Sequence, residues 1–336
     1  MKPIYLILFF ICIGIITSCK KNNDNCISWD TVPGATYSNP IWNPSGKVIG
    51  FNHTPVITAT TTGSGCNVYT EYTYQNDSTG FWLINADGTN QRRALPHPLY
   101  SASWSQDGKW IAFINGGDIF KMPFDGQKFD TTAMVRLTFN GADTPTSSWN
   151  YLSTKIAYTR YVNGTSASNG IWLYDSGNAA NPNQFLISAY AIEPSWFHTS
   201  DSFVYHTAYF NNVGSQLGDS VWIYSVTAHQ KQFLRVITSP FVTNQSFQPS
   251  PDDSKIAFIA QSNIPNGGAQ VCTINIDGSN FKQLTTSSTT GFSWGPDGRI
   301  VYVNFDYVAL NQTDGTLWIM NADGSNKIQL THNKLN

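Results

Sequence analysis

An aromatic residue, a tight turn and a short apolar strand recur six times along this chain of 336 residues, and that repeat decides how the whole sequence can fold. The copies start at Trp42, Trp104, Trp149, Trp196, Phe247 and Trp294, at successive spacings of 62, 45, 47, 51 and 47 residues. The clearest openings read Trp104-Ser-Gln-Asp-Gly-Lys-Trp-Ile-Ala-Phe113 and Trp294-Gly-Pro-Asp-Gly-Arg-Ile-Val-Tyr302. A small sheet of about 45 residues cannot bury both its faces alone, so units of this period stack on their neighbours. Alternating strand patterns separated by Asp-Gly turns make each unit a propeller blade. The expected fold is all-β: a six-bladed β-propeller of four-stranded antiparallel blades in a closed ring.

The repeat can be followed column by column. Turns such as Gln106-Asp107-Gly108 and Pro296-Asp297-Gly298 follow the first aromatic, with Asp and Gly supplying the positive φ that tight hairpins need. The second strand ends on Phe51, Phe113, Tyr158, Tyr205, Phe258 and Tyr302. A third strand carries Trp82, Phe120, Trp172, Trp222, Cys272 and Trp318, and a short fourth strand is seen in Val135-Arg-Leu-Thr138, Gln283-Leu-Thr285 and Gln329-Leu-Thr331. Nine of the eleven tryptophans fall in two of these columns, which places them in the core between blades, since an indole supplies much buried area. A carbohydrate-stacking platform is the alternative use of the same rings.

The phrase Trp-x-Pro-Asp-Gly-Arg/Lys-Ile-x-Phe/Tyr, followed by Ile-x-Asn-Ala-Asp-Gly-Ser-Asn and Gln-Leu-Thr, resembles the TolB-type propeller repeat over residues 39–333. Similar repeats occur in the propeller domains of some prolyl and dipeptidyl peptidases. The resemblance implies the fold strongly and an activity weakly, because one architecture hosts many tasks. TolB proteins carry an α/β domain ahead of the propeller, through which they meet other envelope proteins. Here about twenty residues separate Cys19 from the first repeat, so that domain is expected to be missing. The Gly-x-Ser-x-Gly pattern of peptidase relatives occurs once, as Gly291-Phe-Ser293-Trp-Gly295, but inside the repeat that opens at Trp294 and not in a hydrolase domain, so peptidase activity is not carried over.

The N-terminus reads as an export signal. Met1-Lys2 precedes an unbroken apolar run from Ile4 to Ile16, short for a membrane span, which ends in Ile16-Thr17-Ser18-Cys19. That ending resembles a bacterial lipobox, with Cys19 as the lipidated residue. The expected organisation is a lipoprotein signal peptide over 1–18, a lipidated polar leader over 19–38, and the propeller over 39–336. An ordinary cleaved secretion signal is the alternative. Of the remaining cysteines, Cys272 occupies a tryptophan column and reads as a buried, inert thiol, while Cys26 and Cys66 are free to pair in an oxidising envelope.

Charged residues are only 12% of the chain and the net charge is −2, with no basic block, so nucleic acid is not an expected partner. Ligand contacts are expected where the connections between second and third strands are long. Residues 52–80 contain Tyr69, Tyr72 and Tyr74, residues 206–219 contain Tyr209 and Phe210, and residues 303–315 contain Phe305 and Tyr307. Long connections in a compact fold are commonly functional. These rings offer a stacking surface for a glycan or peptide, or else pack on their own loops. The opposite face, with short Asp-Gly turns, reads as mainly structural.

Three residues ahead of each starting aromatic lie Asn39, Ser101, Thr146, Glu193, Asn244 and Gly291, which should ring the mouth of the central channel. A Glu with two Asn offers oxygen ligands for a divalent cation, broadly as in six-bladed lactonases, but one carboxylate is few and a hydrated polar channel fits as well. His53 and His206 fall just past second-strand ends on the same face, where a pair could support metal-assisted lyase chemistry as in pectin-degrading propellers. No cofactor and no metal site is otherwise indicated: Cys-x-x-Cys and His-x-x-x-His spacings are absent. The expectation is a monomeric bacterial envelope lipoprotein, on the periplasmic side or the cell surface, anchored to a membrane by lipid and binding an envelope protein or glycan without catalysis. The alternative is a metal-assisted glycan- or lactone-processing enzyme that works at the channel mouth with Glu193.

Overall fold

The computed structural model describes residues 35–64, 67–139, 146–162, 168–188, 190–238, 240–262, 268–305 and 315–332. Six antiparallel sheets stand around one axis, five of four strands and one of five. In every sheet the strands follow chain order from the inside outwards, so each blade is one contiguous stretch of sequence. Blade one comprises Ala35–Trp42, Val48–Ser64, Gly80–Asn85 and Arg92–Leu95, with Asn67–Tyr74 paired to the far half of its long second strand. Its first strand thus starts at Ala35, inside the stretch expected to be leader. Cys19, Cys26, Cys66 and Tyr307, and with them the lipidation and disulfide expectations, lie outside the described residues.

The two aromatic columns of the second and third strands face each other residue for residue. Phe51 pairs with Trp82, Phe113 with Phe120, Tyr158 with Trp172, Tyr205 with Trp222, Phe258 with Cys272 and Tyr302 with Trp318. Directly opposed rings are a main source of sheet stability. The third-strand indoles are half-buried and fix their N–H groups locally: Trp82 and Trp172 donate to the carbonyls of Ser78 and Ser168, each at 2.9 Å.

The first-column tryptophans go deeper, with Trp42, Trp104, Trp149, Trp196 and Trp294 all 7% exposed or less. Each belongs to an apolar cluster that spans the boundary between two blades. The boundary between blades four and five is filled instead by Phe247, Phe258, Val204, Val221 and Ile237. Closure of the ring uses the same device: Tyr37, Trp42 and Phe51 of blade one pack with Val301, Val303 and Leu317 of blade six. Hydrogen bonds across this seam include those from Tyr37 N–H to the Gly315 carbonyl (3.3 Å) and from Trp42 N–H to Ser293 Oγ (3.0 Å).

Register corrects one reading. In blade four Trp196 pairs with Phe203, and in blade five the equivalent pairing is Pro249 with Ile256. The start of blade five is therefore Pro249, two residues beyond Phe247. Phe247 is an additional buried ring inside the bulged strand, stacked on Phe258 at 4.9 Å. The fifth turn also differs: Asp253 stands at φ 55°, where three other blades place Gly46, Gly108 and Gly298. Its carboxylate reaches into blade four and accepts from the N–H of His198 and of Thr199, both at 2.9 Å, and from Thr199 Oγ at 2.7 Å. Those bonds, together with the His198 ring 3.1 Å away, overcome the burial cost and hold the Asp253 carboxyl below its ordinary range.

Candidate functional site: the channel mouth and the long-connection face

Most of the long connections are strand rather than loop. The second strand of blade one runs through His53 to Ser64, and that of blade four runs from Ser202 through His206 to Phe210 before returning at Gln216. His53 and His206 are therefore strand residues, not residues past strand ends. The reason is local: alternating Thr, Tyr and Val in 54–74, and apolar residues in 207–217, continue the pairing of the blade beneath. Blade two alone turns directly, at Gly116-Gly117, with both residues at positive φ.

At the channel end of the first strands the backbone bulges. Register slips between Ser38 and Ile41, Tyr100 and Ser103, Ile192 and Ser195, and Gln245 and Gln248. The residues carried out by these bulges are Asn39, Ser101, Glu193 and Ser246, all with φ between 48 and 59°. A bulge re-aims a side chain, and a non-glycine residue held at positive φ is uncommon. Asn39, Ser101 and Glu193, each three residues ahead of the starting tryptophan, thus occupy equivalent bulge positions in blades one, two and four. In blade five the position belongs to Ser246, and Asn244 lies one pair earlier, opposite Ala260. The spacing argument failed there because it was counted from Phe247.

Glu193 is the hub of a buried polar chain. Its Oε2 accepts the Ser246 N–H at 2.5 Å and lies 3.4 Å from His206 Nε2. The other ring nitrogen of His206 lies 3.4 Å from Asp219 Oδ1. Asp219 Oδ2 in turn accepts both the backbone N–H (2.7 Å) and the side-chain amide (3.0 Å) of Asn244. Burial alone would lower the His206 pKa. The hydrogen bonds and charges of Asp219 and Glu193 outweigh it and push the pKa up to about 9, so the ring is an imidazolium at neutral pH. The ring rests on Phe247 at 5.0 Å. The Glu193 N–H donates to Thr159 Oγ of blade three at 2.9 Å, so one residue bonds to both neighbouring blades.

This arrangement joins some expected site residues and separates others. Glu193, His206 and Asn244 share one network. Asn39 lies at the seam beside Gly291, three blades away around the ring. His53 stacks on Tyr37 at 4.4 Å in the interface with blade six, so the two histidines do not form a pair. Tyr74 and Tyr209 are 45% and 40% exposed, on the projecting strands of blades one and four. Tyr72 is paired with Ala59 in the blade-one ribbon. Asp219 went unread in the sequence, although a carboxylate three residues before the Trp222 column was its signal.

Among the described residues no group of three or more His, Cys, Asp or Glu side chains is arranged to hold a metal ion. In the carboxylate cluster described above, His206 places its two ring nitrogens 3.4 Å from the carboxylates of Glu193 and Asp219, and Asp219 also accepts from Gln216 and Asn244. On the opposite face, a shallow open groove of about 1000 Å³ lies between blades one and two, lined by Lys47, Asp87, Arg92, Asp107, Lys109 and Asp125 among others.

No protein-family model and no curated protein matches the sequence. Solved structures do match in fold. TolB from Acinetobacter baumannii aligns over 92% of this chain with a TM-score of 0.60 and 17% identity, and the chain spans 65% of that protein's length. The fold is the six-bladed propeller of TolB. An oligogalacturonate lyase in complex with manganese aligns over 90% of this chain and 78% of its own, at 10% identity and TM-score 0.53. The propeller domain of the trilobed protease from Pyrococcus furiosus, described as having an open velcro topology, aligns over 90% of this chain and 99% of its own, at 13% identity and TM-score 0.53. At such identities the likeness speaks for architecture alone.

Proposed function

We propose that this chain is a non-catalytic binding or scaffold module of the bacterial cell envelope, anchored through a lipid on Cys19 and acting as a monomer on an envelope protein or glycan. The observation that carries the reading is the state of the channel-mouth cluster. Its imidazole and its two carboxylates engage one another, Ser246 and Asn244, in contacts that tie blade four to blade five. A general acid or base must be able to reach the proton it moves, and His206 is buried on every side. The fold shared with TolB supports a role in presenting surface, and the N-terminal pattern supports the anchor.

Metal analysis of the purified protein is the deciding experiment. The expected result is less than stoichiometric Mn²⁺, Ca²⁺ and Zn²⁺, unchanged in Glu193→Gln. A stoichiometric ion that disappears in Glu193→Gln would transfer the assignment to a metal-assisted enzyme of the kind the manganese-bound lyase represents. Labelling with a palmitate analogue tests the anchor separately, and incorporation that survives Cys19→Ala refutes it.

A further inference from the structure

The blade-four hairpin has an unusual tip. Past His206 its strands stay paired through Thr207–Ser220, Ala208–Asp219, Tyr209–Gly218 and Phe210–Gln216, then close over Asn211-Asn-Val-Gly-Ser215. Four further residues of strand raise this turn by about 13 Å above the base of the hairpin. Val213 at the apex is 86% exposed, and Phe210, Tyr209 and Leu217 are 49%, 40% and 40% exposed. Neighbours along a strand point to opposite faces, so Tyr209 and Phe210 place apolar surface on both sides of the ribbon. From Thr207 to Gly218 the sequence contains no charged residue.

The backbone of this tip needs little water. Asn211 N–H donates to the Ser215 carbonyl at 2.9 Å, and Gly214 N–H donates to the Asn211 carbonyl at 3.1 Å. The Asn211 side-chain oxygen accepts from Val213 N–H at 3.0 Å and from Ser215 N–H at 2.9 Å. Four of the five turn donors are thereby satisfied inside the turn. Transferring a peptide group out of water is costly mainly when its hydrogen bonds are lost, so these four donors add little to the cost of dehydrating the tip.

Chain direction supplies the occupant. Ala35 pairs with Pro55, and Tyr37 bonds to Gly315, immediately before the third strand of blade six, Thr316–Met320. The first strand therefore enters on the face from which the blade-four hairpin projects. Sixteen residue steps separate Cys19 from Ala35, a reach of about 55 Å at full extension. A lipid held on Cys19 would keep that face within this distance of a bilayer. Tyr100 and Tyr190, at the entries of blades two and four on the same face, are 63% and 66% exposed.

We infer that the blade-four hairpin tip, Tyr209, Phe210, Val213 and Leu217, inserts into the interfacial layer of a lipid bilayer and, with the Cys19 anchor, holds the long-connection face against the membrane. A protein partner would cover one side of a ribbon. Apolar groups on both faces and at the apex fit immersion, and tyrosine is favoured at the headgroup level. A second attachment point on an already anchored chain binds at high effective concentration, so it orients the face even when it is weak by itself. The inference rests on the envelope placement proposed above.

The test uses a chain that begins at Lys20, which keeps every residue of the closed ring and cannot be acylated, so it reads the hairpin independently of the anchor. Flotation with phosphatidylcholine vesicles is expected to carry the protein, insensitive to 0.5 M salt. Val213→Asp, fully tolerable at an exposed apex, and the triple change Phe210→Ser, Val213→Ser, Leu217→Ser should each lower the bound fraction at least tenfold with melting temperature unchanged. Phe185→Ser, an exposed ring on the outer strand of blade three, should leave it unaltered. Absence of vesicle binding by the parent chain, binding that requires anionic lipid, or binding retained in Val213→Asp overturns the inference. Palmitate-analogue labelling of full-length protein reports separately on Cys19.

Discussion

Raising the pH from 6.5 to 9 should weaken this protein, and the size of the loss follows from His206. In the unfolded chain the imidazole has its ordinary pKa of 6.5, whereas in the folded chain Asp219 and Glu193 raise it to about 9. Between those values the folded state holds a proton that the unfolded state has released, so stability falls as pH rises. The contribution is complete below pH 6.5 and gone above about 9. At 1.36 kcal/mol per pH unit the loss is roughly 3 kcal/mol, or a fall of about 6 °C in Tm for a chain of this length. The window is clear of the buried tyrosines and thiol. Burial pushes Tyr205, Tyr302 and Cys272 up to about 12, and their unfolded values of 10.0 and 9.0 place their own effects at higher pH. Thermal melts followed by tryptophan fluorescence at pH 6, 7, 8 and 9 measure the effect, with His206→Gln as the comparison. The wild type should decline and the variant, less stable throughout because two buried carboxylates lose their cation, should be flat. A wild type whose Tm is constant across the window, or a variant that declines in parallel, would show that the His206 bridge carries no charge of consequence.

Three other outcomes follow from particular contacts. Asp253→Ala removes a carboxylate that caps two N–H groups of the neighbouring blade and should cost about 2 kcal/mol in urea denaturation, while Asp253→Asn, which keeps an acceptor, should recover part of it. Asn52→Ala should cost about 2–3 kcal/mol, because its buried amide both donates to the Leu99 carbonyl (2.7 Å) and accepts the Leu99 N–H (2.8 Å) at the entry to blade two. Cys272 should resist an aromatic disulfide reagent at pH 8 in the native state of a chain that begins at Lys20 and carries Cys26→Ser and Cys66→Ser, and react fully in denaturant; rapid native modification would contradict its burial.

Blade number and core were readable from the chain because they depend on periodicity, which every copy restates. The opposed pairs Phe51–Trp82 and Tyr302–Trp318 are period-two patterns on adjacent strands, and no long-range information is needed to see them. Blade five was misread for a physical reason. Phe247 sits near the expected spacing, but a bulge at Gln245–Gln248 shifts the register and hands the starting position to Pro249. The channel-mouth network was half legible. Glu193 followed from counting, whereas its engagement with His206, and the role of Asp219, depend on which side chains meet across a blade boundary. That is set by backbone placement among residues 13 to 53 apart and leaves no local pattern. The hairpin tip was visible only as a long connection containing Tyr209 and Phe210; that it is paired strand, with its turn donors internally satisfied, required coordinates.

Because every blade is one unbroken stretch of chain, no strand among the described residues crosses from the last blade into the first to latch the circle shut. The described ring is a split washer whose two ends adhere by grease and a few threads. Tension carried along the leader arrives at Ala35–Trp42, the very strand that forms one lip of the split, and would peel it sideways from Val301 and Leu317 before loading any other sheet. The same geometry lets a whole wedge be added or removed at the gene level without cutting a sheet in two, so the number of wedges is set by how well the final pair of lips can meet.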